Sequence, residues 1–167
     1  MTAARGDGDP AIAMTTISIG RQVPDFVIPT TGGEFRLSGQ RGRNVVVYFY
    51  PRDNTPGCTL EGGDFRDHAA AFRRAKTTIL GISTDSLESH RKFRDKLRFP
   101  FELGSDEDHA IAAKFAVWRQ KNMYGRKMMG VERSTFLIDS DGVLRQEWRK
   151  LKVAGHAEQV LAAVREL

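Results

Sequence analysis

The segment from Asn44 to Tyr50 limits this chain to few folds. Val45, Val46, Val47, Tyr48, Phe49 and Tyr50 form an unbroken apolar run, rich in β-branched and aromatic side chains. With no polar alternation, it reads as a strand buried on both faces, which needs a packing layer on each side. Pro51 ends the run, and Asp53-Asn54-Thr55-Pro56-Gly57 is a dense group of turn formers. A helix is expected to begin near Thr59, with Leu60, Phe65, Ala69 and Phe72 on one side. Thr77 to Ser83 reads as a second buried strand. Asp85 with Glu88 resembles a capping box that opens a helix reaching about Leu97. A shorter helix is expected over Asp108 to Val117. Ser134 to Asp139 reads as a strand, turned by Asp141-Gly142 into a partner running from Val143 to about Trp148. Val160, Leu161, Val164 and Leu167 lie at helical spacing in a last helix, His156 to Leu167. The alternation predicts an α/β fold, a three-layer α/β/α domain around a central mixed β-sheet.

A chain of 167 residues suits one domain with a core of its own. The net charge of +5 is spread along the chain with no run of five or more basic residues, which argues for a solvated basic surface and against nucleic acid. No apolar stretch approaches the roughly 18 residues that a membrane span requires. A single cysteine excludes an internal disulfide among these residues. Met1 to Ala13 is small, polar and Gly-rich without the apolar centre of a signal peptide, so a cytoplasmic location is expected. Patterned sequence starts near Met14. Residues 1–15 are therefore expected to form a flexible extension, with the domain over 16–167, and Arg5-Gly6-Asp7 within the extension is read as chance. His68, His90, His109 and His156 show no paired ligand spacing, and no Gly-rich phosphate loop follows a strand; neither metal nor cofactor is expected.

Cys58 falls in the first turn of the helix that follows the first strand. Unpaired N–H groups and the positive end of the helix dipole favour an anion there. Such settings lower a thiol pKa from about 8.5 into the range of roughly 3.5–7.5, and the thiolate is the nucleophile. A lone cysteine is more often a small buried apolar residue, so placement alone does not decide. Its neighbours add weight, since Pro51, Thr55 and Cys58 form the pattern Pro-x-x-x-Thr-x-x-Cys. The Thr55 hydroxyl both donates and accepts hydrogen bonds, which suits a small polar substrate, and Pro51 offers a rigid wall without a donor.

Together these residues resemble the peroxiredoxin active-site loop. The likeness extends from about Thr16 to Leu167. Val23-Pro24-Asp25-Phe26 is similar to the family's opening segment. Asn54 to Thr59, Asp64-Phe65-Arg66-Asp67, Met129 to Asp139 and the ending from Gly155-His156-Ala157 resemble the bacterioferritin-comigratory, or peroxiredoxin Q, branch. The resemblance implies a thioredoxin-like fold and reduction of hydroperoxides by a thiol cycle. By the same likeness Cys58 takes the peroxidatic position, Thr55 the substrate-binding position and Arg133 the position of the active-site arginine. Glu61 matches a residue that orients the arginine. An always-charged guanidinium beside a thiolate would stabilise it and bind peroxide oxygens.

One departure changes the expected cycle. Many members of the branch carry a resolving cysteine five residues after the first, where this chain has Gly63, and others carry it in the next helix, which has none here. The Cys58 sulfenic acid would then be resolved by an external thiol, from thioredoxin or from glutaredoxin with glutathione. Easy overoxidation is expected as well. Gly62-Gly63 is expected to let the first turns of the helix open for that thiol, since each glycine costs about 1 kcal/mol against alanine. Trp118 to Lys127 is read as a solvated loop near the site, with docking of an acidic reductant as the second reading. A monomer is expected. The rival function is a thioredoxin-fold binding or chaperone module that has lost catalysis; a dithiol reductase is excluded because Glu61 stands where its second cysteine would be.

Overall fold

The computed structural model describes residues 17–167. The expected extension over residues 1–15, with Arg5-Gly6-Asp7, lies outside the described residues. The chain runs β1 (Val27–Thr30), β2 (Gly33–Arg36), a 3₁₀ turn (Leu37–Gln40), β3 (Asn44–Phe49), α1 (Pro56–Asp67), α2 (Ala69–Arg74) and β4 (Thr77–Ser83). It continues through α3 (Leu87–Leu97), β5 (Glu102–Ser105), α4 (Ala110–Lys114), β6 (Trp118–Met123) and β7 (Arg126–Val131). The last elements are β8 (Ser134–Ile138), β9 (Leu144–Arg149) and α5 (His156–Arg165).

Seven strands form one mixed sheet in the order β2-β1-β5-β4-β3-β8-β9. The centre is parallel, β3 against β4 and β4 against β5, and the flanks are antiparallel. The apolar run of β3 is central and buried on both faces, as its composition requires. Val46, Tyr48 and Tyr50 face one core with Phe65, Phe72, Phe93 and Val160, beneath α1, α2, α3 and α5. Val45, Val47 and Phe49 face the other with Phe26, Ile111, Phe115 and Phe136, where α4 and the segment before β1 form the cover. Among the described residues the two faces are thus unequally clad, with four α-helices on one and a single short one on the other. Both cores are strongly aromatic: Tyr48 stacks on Phe65 at 4.7 Å between ring centres, and Phe99 on Phe101 at 5.0 Å.

The expected helix after β3 begins earlier, at Pro56, and is broken at His68 into α1 and α2. Pro56 occupies the first helical position, where its missing N–H costs nothing. Phe65 and Phe72 are buried as expected, but Leu60 is 56% exposed and does not share their side. The start of α3 also differs from expectation. Ser86, not Asp85, is the cap, its hydroxyl accepting from the Ser89 N–H at 3.2 Å. The segment Trp118 to Lys127, read as a loop, is β6 and the start of β7, a separate two-stranded ribbon whose mostly exposed residues give no strand-like apolar pattern.

Gly62 has a packing reason of its own. A Cβ built there would stand 2.3 Å from the Phe99 ring, whereas one at Gly63 meets nothing closer than the Arg66 guanidinium at 3.4 Å. Gly62→Ala is therefore expected to destabilise by about 1–3 kcal/mol through overpacking, and Gly63→Ala to be neutral or slightly stabilising. Chemical denaturation of the two variants measures the difference.

Candidate active site

The site is built where β3 ends and α1 begins. Thr55 is the N-cap of α1 in extended conformation, and its carbonyl accepts the first helical bond from the Thr59 N–H at 2.9 Å. Pro56 has no N–H, so the N–H groups of Gly57 and Cys58 are the donors of the first turn without an intrahelical acceptor. Both lie at the positive end of a helix of 12 residues. Cys58 is buried, 2% exposed, with its sulfur in the same core as Tyr48 and Phe65.

Arg133 reaches this sulfur from the connection between β7 and β8. Its Nη2 donates to Cys58 Sγ at 3.4 Å and its Nη1 to Glu61 Oε1 at 2.5 Å. One planar fork thus spans the cysteine and the carboxylate that lies one helical turn later. Gly57 admits the fork, because a Cβ there would stand 3.0 Å from Nη2. Thr55 Oγ1 donates to the Arg52 carbonyl at 2.9 Å, which leaves its lone pairs free to accept. Pro51 is half-buried at the end of β3. The expected residues Pro51, Thr55, Cys58, Glu61 and Arg133 therefore fall in one region. Contacts join Cys58, Arg133 and Glu61 directly, while Thr55 and Pro51 are placed by the loop.

Glu61 is unusual among them. It is 1% exposed, and its Oε2 has no hydrogen-bond partner. Burial pushes its pKa up to about 7, against the pull of Arg133. The folded value lies above the unfolded one of 4.5, so the stability this group contributes is fully present below pH 4.5 and is lost as pH rises through 7. Glu61→Gln is expected to remove a stability loss on the order of 3 kcal/mol between those pH values. Urea midpoints measured across the range test this, and a variant with the same slope as the parent would refute it.

A second polar group was missed by spacing arguments. Asp53, two residues before Thr55, is bound at both carboxylate oxygens and at its N–H. Its Oδ1 accepts from Tyr50 Oη at 2.6 Å, and its Oδ2 accepts from Ser89 Oγ at 2.8 Å and faces His90 Nδ1 at 2.8 Å. Its N–H donates to Asp85 Oδ2 at 2.8 Å. The other ring nitrogen of His90, Nε2, faces the Gly104 carbonyl at 2.9 Å and must carry a proton to bond there. Asp53, Asp85 and His90 lie close enough to hold a metal ion, with ligand atoms within 4.8 Å of one another. Both Asp53 carboxylate oxygens, Asp85 Oδ2 and both His90 ring nitrogens already have protein partners, so the cluster acts as a hydrogen-bonded anchor that ties the active-site loop to α3 and β5. The signal was the Ser-His pair at one turn of α3, too short to read without the fold. Asn54 takes the left-handed conformation, φ +63°, that this anchored turn demands and asparagine tolerates.

His156, at the start of α5, is buried between Phe65 and Trp148 and pairs through Nε2 with Thr135 Oγ1 at 2.8 Å. Burial pushes its pKa down to about 4, so it is a neutral core residue.

A groove opens on the Arg133 side. Arg119, Lys121 and Met123 of β6, Glu132, Arg133, Lys150 and Leu151 line it, and it holds about 590 Å³. Burial and the Arg133 charge lower the Lys121 pKa, with Glu132 and Cys58 opposing. Among the described residues no helix is long and apolar enough to cross a membrane.

Comparison with known proteins agrees with this fold. Residues 19–147 match the AhpC/TSA family. Peroxiredoxin Bcp of Bacillus subtilis is 45% identical over 153 residues, spanning 91% of this chain and 98% of that protein. Among solved structures, the Xanthomonas campestris bacterioferritin comigratory protein, described for its alkyl peroxide reduction activity, superposes with a TM-score of 0.81 at 46% identity, over 84% of this chain and 90% of its own. Two different cysteine-to-serine mutants of that organism's peroxiredoxin Q are also among the matches, whereas this chain has a single cysteine. A cysteine-to-serine mutant of Xylella fastidiosa peroxiredoxin Q superposes with a TM-score of 0.85 at 37% identity, over 90% of this chain and 96% of its own. On fold, on motif and on identity across almost the whole length, the chain belongs to the AhpC/TSA family as a peroxiredoxin of the Bcp, or peroxiredoxin Q, kind, a thiol-dependent peroxidase.

Proposed function

We propose that this protein reduces hydrogen peroxide and alkyl hydroperoxides through Cys58 alone, with an external thiol closing the cycle. The observation that carries the reading is the Arg133 fork, with Nη2 3.4 Å from the Cys58 sulfur and Nη1 on Glu61. The Cys58 thiolate, held by this guanidinium and the helix N-terminus, attacks one peroxide oxygen. The O–O bond breaks, the second oxygen leaves as water or alcohol after taking a proton, and the sulfur becomes a sulfenic acid. Thr55 binds the peroxide through its hydroxyl, and Arg133 stabilises charge on the departing oxygen. Pro51 shields the sulfur. Glu61 is a positioning residue that fixes the arginine.

No second cysteine exists to form an internal disulfide, so a thiol from solution condenses with the sulfenic acid and a second one releases Cys58 by exchange. Action as a cytoplasmic monomer is part of the proposal. The test mixes reduced protein with one equivalent of hydrogen peroxide in stopped flow, traps with dimedone and records the intact mass. Rapid single-turnover oxidation with one dimedone adduct is expected. Oxidation no faster than that of free cysteine would refute the reading and leave a binding module as the alternative. With no internal thiol competing for the sulfenic acid, gain of two or three oxygens on Cys58 is expected at high peroxide, and intact mass over a peroxide titration follows it.

A further inference from the structure

The external thiol needs a way to a sulfur that is 2% exposed. Arg133, which donates to that sulfur, also lines a groove whose other charged residues are mostly cationic. Arg119 and Lys121 are two residues apart in β6 and so share one face of the ribbon. Lys150, the residue after β9, also lines the groove, and Leu151 is tied to Arg133 by its N–H donating to the Arg133 carbonyl at 3.3 Å. Among the described residues, Arg119, Lys121 and Lys150 take part in no ion pair. Glu132 is the one acidic residue in the lining, against three such cations, and Arg133 is already paired with Glu61. At about 590 Å³ the groove is the size that small ligands fill, and Arg133, whose guanidinium donates to the Cys58 sulfur, is part of its lining.

We propose that this groove is the entry and binding site for a low-molecular-weight anionic thiol, one that carries carboxylates of the glutathione type. The proposal rests on the one-cysteine reading above. The carboxylates lie against Arg119, Lys121 and Lys150, and the thiolate is directed past Arg133. It attacks the sulfenic sulfur, forming the S–S bond and expelling hydroxide, which takes a proton to leave as water. A second thiolate then attacks the sulfur of the bound thiol, releasing Cys58 as thiolate and one small disulfide. The two electrons that reduced the peroxide come from the two thiols.

The experiment starts from the full chain oxidised with one equivalent of hydrogen peroxide, its sulfenic acid verified by dimedone. Reduction is then timed with glutathione, neutral 2-mercaptoethanol and cationic cysteamine, each corrected for its thiolate fraction. Glutathione is expected to react at least tenfold faster than 2-mercaptoethanol at low salt, with the gap closing as ionic strength rises. Lys121→Glu with Arg119→Glu should lower the glutathione to 2-mercaptoethanol ratio at least tenfold and raise the cysteamine ratio. Because the readout is a ratio within one protein, a general loss of activity in the variant does not alter it. Equal rates for the three thiols, or ratios indifferent to charge reversal, would overturn the proposal. So would saturation by micromolar thioredoxin while glutathione merely matches 2-mercaptoethanol. Failure to form the dimedone adduct is read before any thiol is added, and it strikes the one-cysteine peroxidase reading first.

Discussion

Cys58→Ser is expected to fold like the parent and to consume peroxide no faster than buffer. The side chain is buried and serine is slightly smaller, so the helix start and the aromatic core around it are kept, and the stability cost is limited to a poorly placed hydroxyl. Chemically the loss is complete. A hydroxyl does not ionise in this setting, and its oxygen has no accessible counterpart of the sulfenic state. With no other cysteine in the chain, nothing can substitute. Peroxide consumption in the presence of a thiol, paired with near-ultraviolet circular dichroism to verify packing, measures both halves of the statement. Retained turnover would remove Cys58 from the chemistry.

Arg133→Met is expected to slow oxidation of Cys58 by hydrogen peroxide by roughly 10²–10³-fold, the usual effect of deleting one donor aimed at developing charge. Methionine fills much of the same space, so the change removes the fork and its charge more than it opens a void. Two interactions vanish together, the one to the sulfur at 3.4 Å and the one to Glu61. The stranded carboxylate is already pushed up to about 7 by burial, so without its partner it binds a proton in preference to standing charged in the core. Arg133→Lys separates charge from geometry, since an ammonium cannot bridge Cys58 and Glu61 as the planar fork does, and it should fall between parent and methionine variant. Stopped-flow rate constants at several peroxide concentrations decide the matter. A slowing of less than about fivefold would mean that the guanidinium is a bystander.

Much of this fold could be read from the sequence because local chemistry and global position agree. The run Val45 to Tyr50 is apolar without alternation, Thr77 to Ser83 is apolar at its centre, and both form central strands. What was missed had weak local signals. β1 and β2 are four residues each, joined through Thr31-Gly32, and β5 is as short, so their periodicity has no room to show. The ribbon of β6 and β7 is mostly exposed, and strand pairing there rests on backbone bonds that leave no hydrophobic pattern. Of the site, the loop residues were legible because they are neighbours in sequence, and Arg133 only through resemblance. The Asp53–His90 contact spans 37 positions, and no spacing rule reaches that far.

That distance in sequence sets a schedule for the molecule. Arg133 lies 75 residues beyond Cys58, and the loop between β3 and α1 is tied by His90 to the Gly104 carbonyl. A chain leaving the ribosome displays its cysteine well before the arginine has been made. Until β8 docks beside β3, that sulfur lacks the guanidinium and has only the start of α1 to favour its thiolate. Oxidative vulnerability and catalytic power therefore arrive at the same moment, when Arg133 reaches the cysteine. In refolding, return of peroxide reactivity should trail return of helix, which makes the enzyme's own chemistry a clock for the last step of its assembly.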